Sequence, residues 1–208
     1  METLCGELSK IRRETAQTLT ERMREGLSDL NFLNVEFTME FRRLSHYTAG
    51  GFDEAEFLIS TNPGEPPHPL GAVASGGELS RIMLAIKAVL AETDDIPTLI
   101  FDEIDTGISG RTAQMVSEKL SLIAGSHQVI CITHLPQIAA MADSHYEIRK
   151  TAKENRTVTQ IKRLSEDQMT DELARLLGGA EITEAVRQNA REMRALAAEK
   201  KRLNRQTP

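Results

Sequence analysis

The sequence contains no tryptophan, and aromatic residues make up only 4% of it. Base-stacking platforms for single-stranded nucleic acid use aromatic side chains, so this scarcity argues against one. Two cysteines, Cys5 and Cys131, are too few for a disulfide framework and lack metal-ligand spacing, which makes a reducing cytoplasm the expected compartment. No apolar run approaches the roughly 20 residues that span a bilayer. The opening Met1-Glu2-Thr3-Leu4-Cys5-Gly6 lacks the basic-then-apolar order of a secretory signal, so no membrane association is expected. Positive charge is not in excess either. The 25 basic and 31 acidic residues leave a net charge of −6, which gives no support for a broad nucleic-acid surface and leaves only a local patch open.

What is present is an ordinary globular balance, 40% hydrophobic and 27% charged over 208 residues, enough for one domain with or without an appendage. Residues 1–30 read as one helix, because Leu4, Leu8, Ile11, Thr15, Leu19, Met23, Leu27 and Leu30 recur at steps of three and four. Such a stripe needs a cover, either the core or the other arm of a coiled coil. Residues 35–41 alternate as a half-buried strand, and residues 52–59 form a second candidate after the bend Thr48-Ala49-Gly50-Gly51. The proline-rich residues 62–69 read as a loop.

From residue 75 the pattern becomes α/β. Leu79, Ile82, Met83, Ile86, Val89 and Leu90 mark a helix, and Thr98-Leu99-Ile100-Phe101 reads as a strand covered on both faces. Ala113, Val116, Leu120 and Ile123 mark another helix, starting near Ser109 or Gly110, and residues 129–133 a second buried strand. Strand, helix and strand at this spacing predict a parallel βαβ unit. Further on, residues 146–150 and 157–163 suggest a hairpin around Ala152-Lys153-Glu154-Asn155. Residues 173–177 suggest a short helix stopped by Gly178-Gly179, and 182–203 a long one with a solvated basic tail through Arg205.

Three segments place polar residues at the ends of buried elements, and the carboxyl edge of a parallel sheet is where α/β folds bind ligands. Ser75-Gly76-Gly77-Glu78 opens a helix, where free N–H groups suit a phosphate, although a glycine-rich cap would look the same. Asp102 and Glu103 follow an apolar strand, where Asp102 suits Mg²⁺ and Glu103 suits the polarisation of a water, or both are solvated turn acids. His134 follows the second strand and is placed either to meet a terminal phosphate or the Glu103 region, or to serve as a structural histidine.

In combination these segments resemble the C-terminal half of an ABC-type ATPase head. Ser75–Glu78 matches the signature loop, Leu99–Asp102 the Walker B strand, Glu103 the catalytic glutamate, Asp105-Thr106-Gly107 the D-loop and His134 the switch histidine. The longer runs around Ser75–Ala85, Asp102–Gly110 and Thr133–Ala139, with Phe57–Glu65 upstream, resemble SMC-related bacterial DNA-repair ATPases over about residues 1–200. The resemblance implies an α/β fold, the C-terminal half of an ABC/SMC-type P-loop ATPase head with an N-terminal coiled-coil-end helix. Residues 1–31 would end the arm and residues 32–208 form the lobe. ATP and Mg²⁺ are the implied cofactors, with Asp102 at the metal and Glu103 and His134 at the chemistry. Ser75, Gly76, Gly77, Glu78 and Asp105 would act at the nucleotide. Implied partners are DNA, a Walker A lobe and a second head in an ATP-sandwiched homodimer, in the nucleoid-containing cytoplasm.

One departure matters. The Gly-x-x-x-x-Gly-Lys-Ser/Thr phosphate loop of such ATPases is missing, since the sequence has no Gly-Lys pair. The expectation is therefore the C-terminal part of a longer protein, inactive as an isolated piece. The alternatives are the head of another SMC-like ATPase, against which the Asp-Thr-Gly-Ile-Ser-Gly and His-Leu-Pro-Gln runs weigh, and a non-catalytic dimerisation module.

Overall fold

The computed structural model describes residues 1–204 apart from Ala74, Glu92, Asp94, Glu154, Asn155 and Ala180. The expected turn residues Glu154 and Asn155 and the tail residue Arg205 thus lie outside the described residues.

Helix α1 (Glu2–Asp29) buries Cys5, Ser9, Ala16, Thr20, Met23, Gly26 and Leu27. Its lower half follows the expected stripe into the core. Its upper half does not, for Leu4, Leu8 and Ile11 are exposed. The cause is what covers the helix. Strands β1 (Glu36–Thr48) and β2 (Gly51–Ser60) form an antiparallel hairpin that packs along α1. The small side chains at positions 5, 9 and 16 let it approach. At the hairpin turn Thr48 pairs with Gly51, whose φ of 94° and tight space against Leu8 require glycine. Behind the turn, the Asp53 side chain is only 2% exposed. It accepts a hydrogen bond from Ser9 Oγ at 2.9 Å and faces Arg12 Nη1 at 3.5 Å.

The expected loop at 62–69 is corrected at its end. His68–Pro69 form a short strand, β3, paired with β2 at Ile59 and Leu58. Proline is tolerated there because β3 is an edge strand and needs no inward donor at that residue. Helix α2 (Gly76–Leu90), strand β4 (Thr98–Phe101), helix α3 (Gly110–Ile123) and strand β5 (Gln128–Cys131) follow. β4 and β5 are parallel and α3 is the crossover between them, as expected. Leu99 and Phe101 join Ile82, Leu84, Val116, Leu120, Ile123, Met23 and Leu27 in one core.

The expectation that both faces of these strands are covered fails. Ile100 is 68% exposed, with Ile130 at 45% and Ile132 at 49% beside it. Strand side chains alternate between faces, so the same apolar run supplies the inner face, packed on the helices, and an outer face that nothing among the described residues covers. Strands β6 (Tyr146–Lys153) and β7 (Arg156–Arg163) make a separate antiparallel pair, also with exposed apolar residues, Tyr146, Ile148 and Ile161. Among the described residues β5 pairs only with β4, and β6 only with β7, so each keeps an open edge.

Three helices complete the fold. α4 (Pro136–Ala140), which the sequence reading did not include, starts with proline at its first turn. α5 (Glu166–Gly178) is longer than the expected 173–177, because Ser165 and Gln168 form a capping box that starts it earlier. α6 (Glu184–Asn204) packs on α5 through Leu173, Ala174, Ala190 and Ala197. No helix among the described residues is long and apolar enough to cross a membrane.

Leu27 is fully buried where α1 enters the core. Leu27→Ala is expected to lower unfolding free energy by about 2–5 kcal/mol in urea titration followed by circular dichroism. Leu4→Ala, on the exposed face of the same helix, is expected to change it by less than about 0.5 kcal/mol.

Candidate functional site

The site grows out of the end of β4. After Phe101 the chain turns sharply: Glu103 N–H donates to Asp102 Oδ1 at 2.9 Å, and Thr106 N–H donates to Glu103 O at 3.0 Å. Glu103 stands at φ 57°, a left-handed conformation whose cost for a non-glycine residue is of order 1–3 kcal/mol. Such an outlier persists only when its surroundings hold it.

Those surroundings are the first two turns of α2. Ser75 caps the helix, its Oγ accepting from Glu78 N–H at 3.4 Å. Gly77 leaves no room for a side chain: a Cβ there would lie 3.0 Å from Glu103 O and 3.1 Å from Thr106 O. At Gly76 a Cβ would lie 2.5 Å from Glu103 Oε2, so the Glu103 carboxylate rests against the start of the helix. Gly77 is thus needed for the close approach of two backbones, whereas at Gly76 only the movable end of Glu103 stands in the way. Ser80 Oγ donates to Asp102 O at 2.8 Å, and Arg81 Nη1 donates to Thr106 O at 2.9 Å and Ile104 O at 3.4 Å. Burial draws the Arg81 guanidinium below its ordinary value, with Glu78 opposing that shift.

The third group comes from the end of β5. The Asp105 side chain is 5% exposed, and its Oδ2 accepts from Thr133 Oγ1 at 2.6 Å and His134 N–H at 2.8 Å. His134 Nδ1 lies 3.0 Å from the same oxygen. The contact is an ion pair when the ring is protonated, and the rest of the imidazole is exposed. The histidine's neighbour is therefore Asp105, two residues beyond Glu103.

Every sequence-predicted site residue sits in these three groups. Ser75, Gly76, Gly77 and Glu78 start α2, Asp102, Glu103 and Asp105 follow β4, and His134 follows β5. Asp102 and Glu103 are exposed and accessible to a ligand. The sequence reading missed Ser80, Arg81 and Thr133. Each lies within or beside a quoted motif, but only its contacts reveal a role. Among the described residues no three His, Cys, Asp or Glu side chains are grouped to hold a metal. Asp102 alone fits Mg²⁺, a hard cation that commonly takes one carboxylate with waters and phosphate oxygens.

No protein-family model matches the chain. It is 43% identical over 194 residues to the DNA repair protein RecN of Halalkalibacterium halodurans, covering 91% of this chain and 34% of that protein. It is 41% identical over 201 residues to the DNA repair protein RecN of Bacillus subtilis, covering 89% of this chain and 35% of that one. The chain is RecN-like. It spans about a third of the length of these relatives and matches their C-terminal part. In structure, the RecN-like chain is similar to an Smc head domain with a coiled coil and joint from Pyrococcus yayanosii. That likeness has a TM-score of 0.55 at 19% identity, over 77% of this chain and 29% of the other. The fold is that of an SMC-type head.

Cys131 lies beside this site without serving as its nucleophile. Burial, with Asp105 and Asp102 adding, pushes its thiol up to about 12, which favours the neutral form. At pH 8 iodoacetamide is expected to label Cys131 more than about a hundredfold slower than an ordinary thiol, measured by peptide mass spectrometry.

Proposed function

We propose that this chain is the C-terminal part of an ATP-hydrolysing head that works in DNA double-strand break repair. Residues 1–31 end a coiled-coil arm, and residues 32–208 form the lobe that carries the signature loop, the acids and the histidine. One observation carries the reading. Ser75–Gly77, Asp102, Glu103 and the Asp105–His134 pair gather at the carboxyl ends of two parallel strands whose outer face and free edge are open. A lobe bearing a phosphate loop would cover Ile100, Ile130 and Ile132 and complete the sheet along β5, supplying the floor of the nucleotide pocket. The exposed Leu4, Leu8 and Ile11 would receive the second strand of the arm. The likeness to RecN, whose name describes a DNA repair protein, supports DNA as the partner and the nucleoid as the place of action.

In this mechanism the reaction is ATP + water → ADP + phosphate. Glu103 rotates off Gly76 and accepts a hydrogen bond, then a proton, from the water that attacks the γ-phosphorus. His134, held beside Asp105 by its backbone N–H, presents its exposed ring to the terminal phosphate. Asp102 keeps one carboxylate oxygen for Mg²⁺, which when bound offsets phosphate charge. Ser75, Gly76 and Gly77 offer the start of α2 to the nucleotide of a second head. ATP then joins two heads, and hydrolysis releases them.

The test is co-expression of this chain with a RecN-type phosphate-loop lobe. The chain alone is expected to show no turnover and no ATP binding in the micromolar range by calorimetry, whereas the pair hydrolyses ATP. A folded pair without ATPase activity would favour a dimerisation module instead. In the pair, Glu103→Gln is expected to slow hydrolysis by about 10²–10⁴-fold and to hold the ATP-bound dimer together in size-exclusion chromatography. Normal turnover in that variant would remove Glu103 from its role.

A further inference from the structure

Arg81 is 8% exposed, a cation buried with no carboxylate hydrogen-bonded to it among the described residues. Its Nη1 serves Ile104 O and Thr106 O, its Nε is buried without a hydrogen-bond partner among the described residues, and its guanidinium lies 5.6 Å from the Phe32 ring centre. Packing alone would be met at this position by leucine or methionine, beside Ile82 and Leu84, with no charge to desolvate. What those side chains lack is a long-armed donor: Nη1 alone reaches both carbonyls beyond Glu103.

The neighbouring contacts share a pattern. Ser80 holds Asp102 O on one side of Glu103, Arg81 holds Ile104 O and Thr106 O on the other, and Gly77 packs under Glu103 O. Helix α2 therefore grips the acidic loop on both sides of its strained residue. We propose that Arg81 is a positioning residue that makes the start of α2 and the loop 102–106 a single mechanical unit. Engagement of Ser75–Glu78 by the nucleotide of a second head then reaches Glu103 and Asp105 of the same chain, and so the two composite sites of a dimer are coupled. This inference rests on the ATPase reading above.

The experiment uses mixed dimers of the complete head in which one copy has a disabled phosphate loop and carries a mass label. That copy meets nucleotide only through Ser75–Glu78. Hydrogen exchange of its residues 76–79 and 103–108 is followed with and without a non-hydrolysable ATP analogue. With Arg81 present, both segments are expected to slow by about fivefold or more. With Arg81→Met, 76–79 should slow while 103–108 keeps its nucleotide-free rate. Arg81→Lys, which keeps a donor but loses the fork, should restore part of the effect and carries the comparison if the methionine variant does not fold. In homodimers Arg81→Met should lower kcat by about tenfold or more and leave the KM for ATP within about twofold.

Slowing of 103–108 in Arg81→Met equal to that with Arg81 would overturn the inference. So would equal loss of slowing in both segments with no recovery in Arg81→Lys, which would mark a structural role only. No slowing of 76–79 even with Arg81 present would instead refute the trans-acting lid, and with it the ATPase reading on which the inference stands.

Discussion

The loop that follows β4 cannot hold its shape without the first two turns of α2 beneath it. Asp102 and Glu103 sit on a backbone that is bent into a left-handed conformation at Glu103. Gly77 gives the helix the clearance to press against that bend, and the Ser80 hydroxyl and Arg81 guanidinium tie down the carbonyls on each side. Positions more than twenty residues apart in sequence thereby become one surface. The histidine joins through the buried Asp105, which accepts from the Thr133 hydroxyl and the His134 backbone N–H and lies 3.0 Å from the ring. Each of these groups would be an ordinary cap or turn elsewhere, and their chemistry comes from being held together.

The same economy appears in the sheet. A strand of four residues has only two side chains for each face, so Leu99 and Phe101 go to the core while Ile100 goes to the outside. Beside it Ile130 and Ile132 continue an apolar row, bordered by backbone donors and acceptors with no strand to meet them among the described residues. Apolar surface with an open edge is costly to leave in water and prone to pairing. It is well matched to a partner that brings both a strand and a hydrophobic face.

Much of this was legible in the sequence, and the limits have physical causes. The order of α2, β4, α3 and β5 followed from periodicity; Ser75–Glu78, Asp102, Glu103 and His134 stood out at the ends of those elements, while Asp105 came only from the resemblance. Periodicity does not say how many faces of a strand are covered, because Leu-Ile-Phe reads the same whether one side or two are packed. Nor does it say which face of upper α1 the hairpin covers. Leu4, Leu8 and Ile11 are the larger apolar residues, yet the hairpin chose the face of Cys5, Ser9 and Ala16, where small side chains allow backbone approach. The start of α5 is written in Ser165 and Gln168, ahead of the apolar cluster at 173–177 on which the shorter expectation rested. Arg81 was invisible as a functional group because its partners are carbonyls, which leave no mark on a sequence.

Asp53 gives the upper half of α1 a mechanical character. Its carboxylate is sealed between the helix and the β1–β2 hairpin, bonded to Ser9 with Arg12 nearby, and losing Arg12 would leave a buried charge uncompensated. The first turns of the helix are therefore welded to the sheet rather than hinged on it. A twist applied far up the helix would turn the hairpin with it, like a key turning its barrel, instead of dissipating in a flexible joint.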